Sequence, residues 1–332
     1  MTLTQALANH PRAVIGHLPT PLERMGNLGH ELGLDLWVKR DDMTGIGMGG
    51  NKVRQLEYYL GKAVAQGATQ VLITGAVQSN FVRTCAAMAA RLGMGCHIQL
   101  EERVPDPSPL YRDNGNVLLD RLLGATLYSY PEGEDEAGAD ANLRAIADDL
   151  KRRGEVPFIV PLAADQPPTG ALGYAKAAQE LVDQKEKFDM IFIASGSALT
   201  HIGLLFGLRA LGDKTPVHGV CVRRDAQAQT ARVAQRLDDL AILLDMPNPT
   251  TPDDILIHDR ALAPGYGKLS DQTRTAITRT ARAEGVFLDP VYTAKVMAGL
   301  ILQAPDLQGK RVLFWHTGGT PALFAYGDKL GV

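Results

Sequence analysis

The chain has 332 residues, 45% of them hydrophobic and 21% charged, with a net charge of −3. That is the composition of a globular protein with an ordinary core. The charge balance leaves no electrostatic case for nucleic acid or an anionic membrane as partner, and no apolar run approaches the roughly 20 residues of a membrane span.

In chain order, a turn-rich stretch, Thr44-Gly-Ile-Gly-Met-Gly-Gly-Asn51, leads into a predicted helix over 52–65. Strand 71–74, helix 80–92, strand 96–100, helix 115–123, strand 126–130, helix 137–153 and strand 158–160 follow. A second turn-rich stretch is Ala163-Ala-Asp-Gln-Pro-Pro-Thr-Gly170. Beyond it come strand 190–194, helix 200–211, strand 218–222, helix 271–284 and strand 312–316. Alternation of strand and helix predicts an α/β protein with mostly parallel sheets. The two turn-rich segments predict a small domain, 53–162, inserted into a larger one formed by 1–52 and 163–332. The connections then pass a cleft of the kind that binds ligands. Cys85, Cys96 and Cys221 lack CxxC spacing, which fits a reduced, cytoplasmic protein without a structural metal.

Several positions carry chemistry. Lys52 follows Gly49 and Gly50 at a helix start, where the macrodipole favours anions. Such a lysine is easily deprotonated and suits imine formation; a solvated surface lysine is the alternative. Ser195-Gly196-Ser197-Ala198-Leu199-Thr200 links a strand to a helix. It lacks the ending of a nucleotide P-loop and reads as a cradle for a monophosphate, or simply as a helix cap. Ser79 and Asn80 stand at another strand-to-helix turn, able to cap the helix or meet an anion. Tyr266 and Tyr292 sit beside turn residues, as site tyrosines or core residues.

The ordered set Leu18-Pro-Thr-Pro-Leu-Glu23, Lys39-Arg-Asp-Asp42, Gly49-Gly-Asn-Lys-Val-Arg54, Gln78-Ser-Asn80, Asn114-Gly-Asn116, Gly170-Ala-Leu-Gly-Tyr174, Ala194-Ser-Gly-Ser197, Ala263-Pro-Gly-Tyr-Gly267, Leu288-Asp-Pro-Val-Tyr292 and His316-Thr-Gly-Gly319 resembles the D-cysteine desulfhydrase / 1-aminocyclopropane-1-carboxylate (ACC) deaminase family. These are fold-type II enzymes dependent on pyridoxal 5'-phosphate (PLP). The resemblance runs nearly end to end. It implies a tryptophan synthase β-like fold, PLP as cofactor, a small amino acid as substrate and a homodimer. Lys52 matches the Schiff-base lysine, with Asn51 and Asn80 beside the cofactor. Ser195, Gly196, Ser197, Ala198, Leu199 and Thr200 match the phosphate cup, and Thr317 matches a hydroxyl near the pyridine nitrogen. Ser79 matches the carboxylate binder, and Gln78, Phe81, Tyr266 and Tyr292 fall at the substrate.

Three features bear on the reaction. Thr293 and Thr317 stand where ACC deaminases carry Glu and Leu, which points to the desulfhydrase branch, a neutral pyridine and β-elimination. Phe81 replaces the family's histidine, and Leu199 replaces a glycine of the cup. The expected reaction is β-elimination from a small sulfur amino acid such as D-cysteine, giving pyruvate, ammonia and sulfide. The alternatives are L-cysteate, with sulfite leaving and Arg83 or Arg103 as sulfonate partners, or another β-substituted amino acid. ACC deamination and a non-catalytic PLP-binding role rank below these.

Overall fold

The computed structural model describes residues 1–105, 107–133, 135–161 and 166–331. Ten strands alternate with helices: β1 (Leu22–Arg24), β2 (Asp35–Arg40), β3 (Gln70–Ala76), β4 (Gly95–Glu101), β5 (Thr126–Tyr130), β6 (Pro157–Val160), β7 (Met190–Ser195), β8 (Val217–Cys221), β9 (Leu256–His258) and β10 (Arg311–His316). They form a six-stranded sheet in the order β1-β2-β10-β7-β8-β9 and a four-stranded sheet in the order β5-β4-β3-β6. All pairings are parallel except β1 with β2. No helix among the described residues is long and apolar enough to cross a membrane.

The large sheet is covered on both faces, and its strands show why. Side chains alternate between faces of a pleated strand. Ile191, Ile193, Leu313 and Trp315 pack with the helices Ala171–Asp183, Leu199–Ala210 and Ala226–Leu244. Their neighbours Phe192, Ala194, Val312 and Phe314 pack on the other side with Asp271–Glu284 and Thr293–Gln303. Strands buried on both faces read as continuous apolar runs, the pattern seen at 190–194 and 312–316.

The helix Asn51–Ala65 links the two cores. Val53, Leu56 and Leu60 pack with β3 and β4, whereas Tyr58 belongs to the core of the large sheet. Helix Ala171–Asp183 presses against it so closely that a Cβ on Gly173 would stand 2.1 Å from the Arg54 carbonyl oxygen. Only glycine fits there.

A buried polar network locks this junction. Arg54 donates to Asp41 through Nε (3.0 Å) and Nη2 (2.8 Å), and to Glu180 through Nη1 (2.8 Å) and Nη2 (2.9 Å). Lys39 Nζ donates to Glu180 Oε1 at 2.5 Å and to Gln184 Oε1 at 2.7 Å. Tyr174 (2.5 Å) and Trp315 (2.8 Å) also donate to Asp41 Oδ2. Burial alone raises the Asp41 carboxyl, but Arg54, then Lys39, override it and hold it below the usual carboxylate value. Removing one partner of such a cluster strands the others in a dry interior. Arg54→Met is expected to lower the unfolding free energy by about 3–5 kcal/mol, read as a shift of the urea midpoint; an unchanged midpoint contradicts this account.

Candidate active site

Parallel strands end where ligands bind, because the following turns open helices whose N–H groups face outward. Here β3, β6, β7 and β8 end at one cleft of about 1150 Å³, part of it open to solvent. Lys52, Ser79, Asn80, Phe81, Tyr266 and Tyr292 line it together, as do Asn51, Gly196, Ser197, Ala198, Leu199 and Thr200.

Lys52 is the second residue of its helix, and Gly50 before it has φ +112°. A Cβ on Gly50 would stand 3.2 Å from the Thr317 carbonyl oxygen, and that same carbonyl accepts from Asn51 N–H at 2.9 Å. The helix start is therefore docked on the turn after β10. Among the described residues Lys52 Nζ has one hydrogen bond, a long one of 3.3 Å to Gln55 Oε1, and it lies 5.4 Å from the Phe81 ring centroid. Burial pushes its pKa down to about 8. An amine so desolvated gives up its proton near neutral pH and becomes a nucleophile.

The 196–200 turn opens the helix Leu199–Ala210 with no side-chain cap. Its first-turn N–H groups need acceptors and lie at the cleft, the arrangement that binds phosphate. Ala198 has φ +77°, a conformation that costs an alanine energy. Leu199 is helical, so replacing the family's glycine there introduces no left-handed strain. Thr200 Oγ1 accepts from Asn51 Nδ2 and Gln55 Nε2, both at 2.8 Å. Those residues flank Lys52 by one and three positions, so one hydroxyl ties the lysine's helix to the phosphate turn. It also leaves the Thr200 proton free to donate.

Ser79 Oγ accepts from Phe81 N–H at 3.2 Å and caps the helix Asn80–Arg91. Asn80 Oδ1 accepts from Asn116 Nδ2 at 3.0 Å. Tyr266 and Tyr292 hydroxyls are 3.0 Å apart. Burial, then Tyr266, holds the Tyr292 phenol well above its usual value, so it stays protonated.

Five expected residues stand outside the cleft lining. The Ser195 hydroxyl turns into the core, accepting from Gln229 Nε2 at 2.8 Å and lying 3.2 Å from His201 Nδ1. It is the last residue of β7, and pleat alternation aims it opposite to Ala194, which lines the cleft. Gln78 donates to the Tyr111 (2.6 Å) and Asn114 (2.8 Å) carbonyls and accepts from Asn116 N–H at 2.9 Å. It shapes the segment that brings Asn116 to Asn80. Thr317 contributes the carbonyl under Asn51. Thr293, expected near the cofactor ring, spends its hydroxyl on Asp289 Oδ1 at 2.7 Å and is fully buried. Arg83 also lies away from the cleft: it donates to the Gly47 carbonyl and, at 3.1 Å, to that of Gly49, bracing the glycine turn before Lys52. Asp165, in the second turn-rich segment, lies outside the described residues.

Sequence reasoning missed Gln55 and Tyr59, which line the cleft at three and seven positions beyond Lys52. That spacing is one face of a helix and was the available signal. It also missed the basic wall formed by Arg223, Arg224, Arg232 and Arg236. Arg224 and Arg232 donate to the Gly196 and Ser197 carbonyls, each at 3.3 Å. Arg103 also lines the cleft, paired with the buried Glu101 at 2.6 Å.

A family model described as pyridoxal-phosphate dependent enzyme matches residues 15–318. The chain belongs to that family. A D-cysteine desulfhydrase of Yersinia enterocolitica is 39% identical over 339 residues, covering 99% of this chain and all of its own. One from Salmonella typhi is 39% identical over 329 residues, covering 96% and 97%. A crystal structure of an ACC deaminase homologue superposes with a TM-score of 0.88 at 34% identity, covering 99% of this chain and 98% of its own. A threonine deaminase from Solanum lycopersicum, at 17% identity and a TM-score of 0.66, shares the fold.

The cofactor is pyridoxal phosphate, and the cleft fits it. An uncapped helix start with a hydroxyl donor suits the phosphate, and a desolvated amine without a carboxylate partner among the described residues suits the aldehyde. Because Lys52 must be neutral to capture the aldehyde, uptake by the apoprotein should accelerate as pH rises through about 8 and then level off. An ordinary lysine would still be gaining reactivity near pH ~10.4. Stopped-flow measurement of the visible band checks this. Borohydride should fix the label on Lys52, and Lys52→Ala should abolish the labelling.

Proposed function

We propose that the enzyme is a carbon–sulfur lyase that performs β-elimination on D-cysteine. The zwitterion and one water become pyruvate, ammonium and hydrogen sulfide. The observation that carries this reading is the convergence of Lys52, Ser79, Asn80 and the Tyr266–Tyr292 pair on one cleft, in a chain about 40% identical throughout its length to D-cysteine desulfhydrases.

The bound cofactor supplies the electron sink for the electrons of the broken Cα–H bond. The protein's residues do the rest. Ser79 and the start of the helix Asn80–Arg91 bind the substrate carboxylate. Lys52 would hold the cofactor's aldehyde end, and its Nζ is placed to accept the Cα proton. The tyrosine pair shares one hydrogen bond, so one of its two hydroxyl protons remains to be donated to the departing sulfur. Asn80, held by Asn116, would help to hold the cofactor. No aspartate or glutamate lines the cleft among the described residues. A pyridine nitrogen there would meet no carboxylate among the described residues to keep it protonated, which supports prompt elimination over ring opening of ACC.

The same reading takes residues 53–162 as a smaller domain inserted between 1–52 and 163–332, with the cleft between them. It takes the working form as a cytoplasmic homodimer. Cys85, Cys96 and Cys221, all buried and unbridged, accord with a reducing compartment.

Pyruvate release should be greatest with D-cysteine in a panel that includes L-cysteate, β-chloro-D-alanine, D-serine and ACC. Faster release from L-cysteate or ACC than from D-cysteine overturns the assignment. Tyr266→Phe is expected to retain the bound cofactor while lowering kcat by about 10²-fold, the scale of a lost proton donor. Phe81→His restores a titratable ring near Lys52 and should raise D-cysteine turnover several-fold; unchanged substrate ratios would mean that Phe81 only packs against Tyr59, as its edge-on contact at 6.2 Å allows.

A further inference from the structure

Lys295 is fully buried, yet it forms no ion pair among the described residues. Its Nζ donates to two main-chain carbonyls, Leu262 and Gly265, both at 2.6 Å. It is also the third residue of the helix Thr293–Gln303, where the macrodipole opposes a cation. Desolvation without a carboxylate makes this an expensive place for an ammonium, and an apolar side chain would fill the same space more cheaply.

What the side chain holds explains its presence. The segment 262–267 has no regular structure and includes Gly265 at φ +131° and Gly267 at φ +67°. Its internal backbone bond runs from Gly265 N–H to Leu262 carbonyl at 3.0 Å. On the far side of Tyr266, the Tyr326 hydroxyl donates to Gly267 carbonyl at 2.7 Å. Tyr292, immediately before the same helix, is fixed through its N–H, which donates to Asp289 Oδ2 at 2.9 Å. Both cleft tyrosines are thus referenced to one helix N-terminus. We propose that Lys295 is a positioning residue, clamping the turn that carries Tyr266 and setting where its hydroxyl stands beside Tyr292. Burial pushes the Lys295 amine down to about 8. A neutral amine still has two N–H donors for two carbonyls, so the clamp holds on either side of that pH.

The inference rests on the role given to Tyr266 above, and the test separates the two. Amide hydrogen exchange of the apoprotein reads the clamp without catalysis. Lys295→Met should raise exchange over 262–267 by at least about tenfold, with the helices Asp271–Glu284 and Thr293–Gln303 as protected as in wild type. In the loaded enzyme it should lower kcat/KM by at least about tenfold, yet add little to the loss in Tyr266→Phe, because residues acting through one another are non-additive. Lys295→Gln, which keeps an amide donor, should fall between wild type and Lys295→Met, and it serves alone if the methionine variant does not fold.

Unchanged exchange over 262–267 overturns the clamp. So does equal loss of protection in the helix Thr293–Gln303, which would make Lys295 a general structural residue. A fully additive double mutant overturns action through Tyr266. Faster exchange with undiminished pyruvate release supports the clamp and overturns the catalytic reading of Tyr266.

Discussion

The fold and the site both depend on the buried pairing of Arg54 with Asp41 and Glu180. Arg54 lies two residues beyond Lys52, Asp41 follows the end of β2, and Glu180 comes from the helix that rides on Gly173. Three distant segments are thereby pinned around one guanidinium, whose planar fork meets both carboxylates. A single buried ion pair is weak evidence of stability, because desolvation offsets its attraction. This one is saturated by further donors from Thr20, Tyr174, Trp315 and Lys39, so neither carboxylate is left facing an empty interior. The result is less a gain in energy than a fixed angle at which the Lys52 helix leaves the large sheet.

That fixed angle matters because the cleft itself holds little that could correct a misplacement. Its polar groups are almost all donors: backbone N–H groups, amides, hydroxyls and guanidinium groups. They suit a ligand rich in anionic oxygen. Among the described residues Lys52 has only a long bond to Gln55, which leaves its amine available for chemistry. The strain at Ala198 and the burial of the Lys295 amine against two carbonyls are local costs of the same kind. Each is tolerated where backbone must be presented to the cleft, and both are held in place by the packed sheets around them.

Much of this was legible in the sequence. The continuous apolar runs of β7 and β10 declared buried parallel strands, and the glycines before Lys52 declared a turn. The helix Ala171–Asp183 was not anticipated. Lys176, Gln179, Glu180 and Asp183 form a polar stripe at helical spacing that could have marked it, whereas Gly173 argues locally against a helix. β9 has three residues, too few to show alternation. Among site residues, motif order singled out Lys52, Ser79 and the tyrosines, which line one cleft. Motif membership did not tell which side chains face the cleft. Gln78, Ser195 and Thr317 lie in matching motifs yet serve the surrounding backbone and core. Pleat direction decides Ser195, and hydrogen bonds to residues more than thirty positions away decide Gln78; neither is written in a local pattern.

The double contact on Thr200 has one more consequence. Asn51 and Gln55 bracket Lys52 and grip the same hydroxyl at the mouth of the phosphate turn, so the span from the reactive amine to the anion cradle is set by side chains only a few atoms long. The site is a ruler. A carbonyl compound whose anionic end lies a bond too near or too far cannot satisfy both ends at once, however well either end alone would bind. Discrimination among aldehydes in the cell then comes from length as well as charge, before any amino acid arrives.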